Sequence, residues 1–144
     1  MSGARLYYTA LQALGLPAAT RWMRNAGVVL CYHNVVSEVI AAVDGTGLHI
    51  TQDKFRRQMR WLASHYTVVR LADLLARMRA GQSVRKTAAI TFDDAYQGVF
   101  DNACPVLNEL RLPATVFVVT QASATGEPFW WDYPETVSRA TGPE

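Results

Sequence analysis

The sequence predicts an α/β protein built from parallel βαβ units. Three observations carry this. Continuous apolar runs rich in β-branched residues recur along the chain, as VVLCY, AAITF and ATVFVV. Stretches with helical spacing of apolar residues separate them, and runs without polar alternation mark strands buried on both faces, as in parallel sheets. Each run also ends on polar residues: His33-Asn34, Asp93-Asp94 and Thr120. In α/β folds the loops after the strands' C-terminal ends carry function, so these residues are expected to share one rim.

The elements follow in order. Residues 1–27 read as a basic amphipathic helical segment. Arg5, Arg21 and Arg24 occur with no acid before Glu38, and Leu6, Ala10 and Leu14 with Tyr7 and Leu11 form a stripe. Packing on the domain that follows is the favoured expectation for this segment; peripheral membrane contact through residues 1–24 is the alternative. Gln12, Gly15 and Pro17 interrupt the continuous apolar stretch a secretory signal needs. Residues 28–144 form the domain itself. Val28 to Tyr32 predicts a buried first strand. Thr51 predicts an N-cap, with Asp53 in the first turn and Phe55, Met59, Leu62 and Tyr66 on one helical face. Thr67 to Leu71 predicts a short strand, and Ala72 to Ala80 a helix closed by Gly81. Ala88 to Phe92 is the next strand. Asn102 or Asp101 is expected to cap a helix with Pro105 in its first turn and Val106, Leu107 and Leu110 inward. Ala114 to Val119 predicts another buried strand.

Composition removes several classes of function. With 144 residues, half of them hydrophobic, the chain suits one domain with a core. A formal charge of +2, without a lysine or arginine stripe, argues against nucleic acid as a partner. Cys31 and Cys104 lack zinc-knuckle or disulfide-framework spacing and are expected to be buried free thiols. No run of about 18 or more apolar residues is present to span a membrane as a helix.

The stretch AITFDDAY, residues 89–96, ends a strand on two adjacent carboxylates. Neighbouring carboxylates repel and lose solvation together, so a metal ion, a basic side chain or a helix N-terminus is expected to compensate them. One reading makes Asp93 or Asp94 a helix cap. The other divides labour: one carboxylate holds a metal that acidifies water, and its neighbour removes the proton.

TFDDAY, followed by GVFDNACPVLNELRLPATVFVV, resembles the first catalytic motif of the polysaccharide deacetylases, carbohydrate esterase family 4, also called the NodB homology domain. VVLCYHNV, LHITQDKFRRQMRWLASHYTVVRLADLL, PATVFVVT and PFWWD agree in order and spacing, so the resemblance covers roughly residues 28 to 132. It implies a distorted (β/α) barrel of about seven or eight units. It also implies hydrolysis of acetyl groups on an N-acetylglucosamine-type polysaccharide, assisted by a divalent metal, with zinc expected. By the same resemblance Asp93 is the catalytic base and Asp94 a metal ligand. Tyr96 and Trp131 are candidate substrate contacts, and His33, which follows a strand, is a candidate rim residue, with a hydrogen-bonded structural role as the favoured alternative. A polysaccharide substrate points to the cell envelope or the extracellular space.

Two features depart from the family pattern. Ala95 stands where glycine is usual, which costs on the order of 1 kcal/mol if its φ is positive. The ligand motif H-[ST]-x-x-H is absent, since only His33, His49 and His65 occur. His49 is expected in a loop and His65 at a helix end, both exposed. The chain is therefore expected to be part of a deacetylase domain, truncated before barrel closure and inactive alone, with an open sheet edge that favours self-association. The alternative is a carbohydrate-binding remnant that stacks sugars on Trp130, Trp131 and Tyr133. A third reading is an unrelated α/β binding protein in which the aspartates only cap a helix.

Overall fold

A computed structural model describes residues 25–37, 48–126 and 129. Its centre is the strand whose six residues are all buried, β5 (Thr87–Phe92). Before it run β1 (Val28–Tyr32), β2 (Asn34–Val36), β3 (His49–Thr51), α1 (Gln52–His65), β4 (Thr67–Val68) and α2 (Leu71–Arg79). After it come a π turn (Val99–Ala103), α3 (Cys104–Leu110), β6 (Thr115–Val116) and α4 (Thr120–Thr125).

All pairing is parallel. β1 lies along β5 from Val28 opposite Ala88 to Tyr32 opposite Phe92. The other edge of β5 is shared. β4 pairs at its start, Thr67 with Thr87, and β6 at its end, Phe92 with Val116. β2 and β3 form a separate parallel pair with Asn34 opposite His49. The predicted parallel α/β architecture is present.

Ala88, Ile90 and Phe92 enter a core with Phe55, Met59 and Leu62 of α1, Val35 of β2, and Val99, Ala103, Val106 and Leu107. Ala89 enters a second cluster with Leu74 of α2 and Val84. Fully burying each large side chain here contributes about 1.5 to 3 kcal/mol, so β5 is held from both faces.

α1 forms as its sequence demands. Thr51 Oγ1 accepts from the Lys54 N–H at 3.4 Å, Asp53 sits in the first turn, and Phe55, Met59 and Leu62 are the buried residues. On the outer surface Arg56 and Arg60 both pair with Glu109 of α3 and tie the two helices across the core. The guanidinium hydrogen bonds hold the Glu109 carboxyl below the usual range. α2 ends at Arg79 with Ala80 as its C-cap, followed by Gly81 at φ +66 where a side chain is disfavoured.

Four expectations are corrected. β1 is not buried: Val28, Val29 and Cys31 are exposed, because among the described residues it pairs on one edge only. β4 stops at Val68, since α2 begins at Leu71 and draws the chain out of the sheet. β6 is two residues long rather than six. The Phe117 N–H donates to Phe92 O at 2.8 Å at the last residue of β5, and Phe117, Val118 and Val119 then stand exposed. Finally, neither Asn102 nor Asp101 caps α3. The chain is already helical there, and the Cys104 N–H donates to Val99 O. Asn102 Nδ2 instead donates to Val35 O at 2.8 Å, and Asp101 accepts from Gln97 Nε2 at 3.0 Å. Pro105 does lie in the first turn of α3.

The segment before β1, residues 1–24, lies outside the described residues. Among the residues described, no helix is long and apolar enough to cross a membrane.

Gly98 marks the tightest approach of the turn after β5 to β2. A Cβ there would lie 2.2 Å from both Val35 O and Asn34 Oδ1. Backbone cannot step aside cheaply, so Gly98→Ala is expected to destabilise the fold by about 1 to 3 kcal/mol in chemical denaturation. A variant unfolding at the parent's midpoint would show that β2 and this turn are not closely packed.

Candidate functional site at the end of the central strand

The parallel ladder delivers Asp93 to its place. Its N–H donates to Tyr32 O at 2.8 Å, the last rung between β1 and β5. Directly after it the backbone turns left-handed at two successive residues, Asp94 (φ +67) and Ala95 (φ +52). Aspartate tolerates this region, whereas alanine is strained by its Cβ. The cost anticipated for Ala95 is therefore present, and strain of this kind is commonly held at functional turns. Asp93 and Asp94 are both half-buried.

Asp93 Oδ2 accepts from the Cys31 thiol at 3.1 Å. Cys31 lies beside Thr91 in the β1–β5 register, one alternation before Asp93 on the same face. The Thr91 hydroxyl donates to Leu30 O at 3.1 Å. Cys31 was expected to be a buried free thiol; it is free but exposed, while Cys104 is half-buried and free. Its pKa is raised, first by partial shielding of the sulfur from water, then by the bond to Asp93, with the charges of Asp93 and Asp94 adding to it. A side-chain hydrogen bond with Thr91 opposes the shift.

Tyr32, at the end of β1, donates its hydroxyl to Gln58 Oε1 at 2.6 Å, and burial pushes its pKa up to about 12. The ring packs edge-on to Phe55 at 5.2 Å and so locks the strand end to α1. Between β1 and α1 opens a groove of about 690 Å³, whose walls include Cys31, Tyr32, Lys54, Arg57 and Trp61.

The remaining predicted residues divide. His33 is half-buried and links β1 to β2; since Tyr32 pairs with Phe92, it stands level with Asp93. Tyr96 is half-buried, with its ring 5.9 Å from His49 and 5.3 Å from Phe129. Trp131 lies outside the described residues, as do Trp130 and Tyr133.

His49 corrects an expectation. It is half-buried in β3 rather than exposed in a loop, with Nδ1 3.1 Å from Asn34 Nδ2. His65 is exposed at the end of α1, as expected, with its ring stacked on Trp61 at 4.4 Å. Sequence reasoning missed both His49 and Cys31 as parts of this site. For His49 a signal existed, because His49-Ile50-Thr51 ends on the residue that caps α1. For Cys31 only the register between β1 and β5 reveals the contact.

A catalytic zinc site needs about three protein ligands. Among the described residues no group of three or more His, Cys, Asp and Glu side chains comes together to hold a metal ion. The described donor set therefore does not fit a resident divalent metal by itself.

Over residues 80–141 the chain matches the polysaccharide deacetylase family. It is 28% identical over 110 residues to the poly-beta-1,6-N-acetyl-D-glucosamine N-deacetylase of Staphylococcus epidermidis, covering 69% of this chain and 38% of that protein. These findings support a polysaccharide deacetylase domain of the NodB type. The deacetylase of the same description from Staphylococcus aureus is 25% identical over 114 residues, covering 72% of this chain and 39% of that protein. The chain thus spans about two fifths of the length of these curated relatives. IcaB from Ammonifex degensii shares the deacetylase-type fold with a TM-score of 0.56 at 28% identity, over 72% of this chain and 42% of that one. The Streptococcus pyogenes deacetylase PplD reaches a TM-score of 0.60 at 21% identity, over 69% of this chain and 45% of that one, a likeness of fold.

Two outcomes follow from the left-handed turn after β5 and the contact at Asp93. Ala95→Gly relieves the left-handed strain, partly offset by greater freedom of the unfolded chain, and is expected to stabilise the fold by about 0.5 to 1 kcal/mol. Unchanged or lower stability would place no strain at Ala95. Because its pKa is raised, Cys31 is expected to react with iodoacetamide near pH 8 more slowly than its exposure alone would set, and Asp93→Asn should speed the reaction. Equal rates in parent and variant would contradict the contact.

Proposed function

We propose that this chain supplies the base-bearing part of a polysaccharide deacetylase site that removes N-acetyl groups from an N-acetylglucosamine polymer. The observation that carries the reading is the carboxylate pair at the C-terminal end of β5, on a left-handed turn within the segment that matches the deacetylase family. The polymer class is taken from the relatives, described as poly-beta-1,6-N-acetyl-D-glucosamine N-deacetylases.

In this reading Asp93 is the general base. Its Oδ2 is engaged by Cys31, which leaves Oδ1 to take a proton from the attacking water. The water oxygen bonds to the acetyl carbon, the carbon–nitrogen bond breaks, and the proton on Asp93 passes to the departing nitrogen. Acetate and a free amine result. Asp94 would hold a divalent metal, zinc expected, once further ligands are supplied, and the metal would contribute Lewis acidity. Since the described side chains do not complete a ligand set, the chain by itself is proposed to be inactive. That incomplete set also supports the second reading, a domain of the same fold that binds the polysaccharide without hydrolysing it.

The chain is tested on an oligomer of β-1,6-linked N-acetylglucosamine with zinc, measuring acetate release. None is expected; release by the chain alone would overturn the proposal that its ligands are insufficient. Complemented with a segment carrying H-[ST]-x-x-H, the two aspartates should fail differently. Asp93→Asn should retain metal and lose kcat by roughly 10² to 10⁴. Asp94→Asn should lower the metal content read by mass spectrometry. If both variants keep metal and full rate, the carboxylates serve only the turn.

A further inference from the structure

Asn34 holds a buried amide with one unsatisfied end. Its Nδ2 lies 3.1 Å from His49 Nδ1, while its Oδ1 is buried and has no hydrogen-bond partner among the described residues. That oxygen and Val35 O both lie against Gly98, each 2.2 Å from where a Cβ would sit. Buried acceptors are normally satisfied, and the oxygen and nitrogen of an amide are assigned only from their hydrogen-bond network. Reversing the amide removes the conflict. The NH₂ then takes the place beside Val35 O, a carbonyl that accepts from Asn102 Nδ2 and has a second lone pair. Oδ1 then faces His49 Nδ1 and requires a proton on it.

We propose that Asn34 holds His49 in the Nδ1–H tautomer, so that Nε2 carries the ring's lone pair and Asn34 is the positioning residue for it. The placement gives this consequence. Asn34 and His49 are directly opposed in the β2–β3 register, and the His49 ring lies against Tyr96, on the turn that carries Asp93 and Asp94. Its buried Nε2, in a ring that packs beside Tyr96, is thereby an acceptor rather than a donor. The use of this acceptor in deacetylation rests on the reading above; the tautomer does not.

The test is long-range proton–nitrogen correlation NMR on the full ¹⁵N-labelled chain, at a pH where the ring is neutral. The expected result is a protonated Nδ1 and a bare Nε2 for His49. Asn34→Asp, whose carboxylate can only accept, should keep that tautomer, and Asn34→Leu should lose the preference for it. A protonated Nε2 in the parent overturns the proposal, as does loss of the Nδ1–H tautomer in Asn34→Asp or an unchanged preference in Asn34→Leu. Because the readout needs no catalysis, a failed acetate assay leaves the tautomer measured on its own terms.

Discussion

The parallel ladder between β1 and β5 is the constraint on which the rest depends. β5 is buried on both faces and paired with β1 from Ala88 to Phe92, so neither its register nor its direction is adjustable without exposing core. The final rung, from the Asp93 N–H to Tyr32 O, fixes where the strand ends. The carboxylates therefore emerge at a set height. The same register brings Cys31 to Asp93 Oδ2 and sets His33 level with it.

The two cores hold that strand from opposite sides with different elements. α1 and α3 cover Ala88, Ile90 and Phe92, and the Arg56–Glu109–Arg60 cluster joins them at the surface. Exposed ion pairs of this kind contribute little, so the fastening is chiefly apolar. α2 covers the other face through Leu74 alone among its buried residues. The groove beside β1 opens on the α1 side, between Cys31 and Tyr32 and the helix residues Lys54, Arg57 and Trp61.

A left-handed pair of residues directly after the strand turns the chain sharply toward Tyr96 and the helical segment behind it. That turn trades local strain for placement. The strain at Ala95 is sustained by what surrounds it: the β5 rungs before it, and after it the packing of Val99 and Ala103 into the main core. Tyr96 and Asn34 then bring His49 to the turn from a separate pair of strands. The site is thus assembled from three stretches of chain that are remote in sequence, around Cys31 to Asn34, His49, and Asp93 to Tyr96.

Much of the fold was legible in the residues themselves. Apolar runs marked β1 and β5, Thr51 and its periodic followers marked α1, and Gly81 marked the end of α2, because these signals are local in dihedral preference and spacing. The aspartate pair was legible too, as two charges after a buried strand. Burial, partners and strand length were not. Whether Val28 and Val29 are covered depends on neighbours, and β6 is short because β5 ends where it does. Cys31 meets Asp93 and Asn34 meets His49 only through pairings that local pattern leaves open. Local sequence determined which segments extend or coil and which residues are candidates for chemistry; tertiary packing decided which of those residues meet, because register and burial depend on distant parts of the chain.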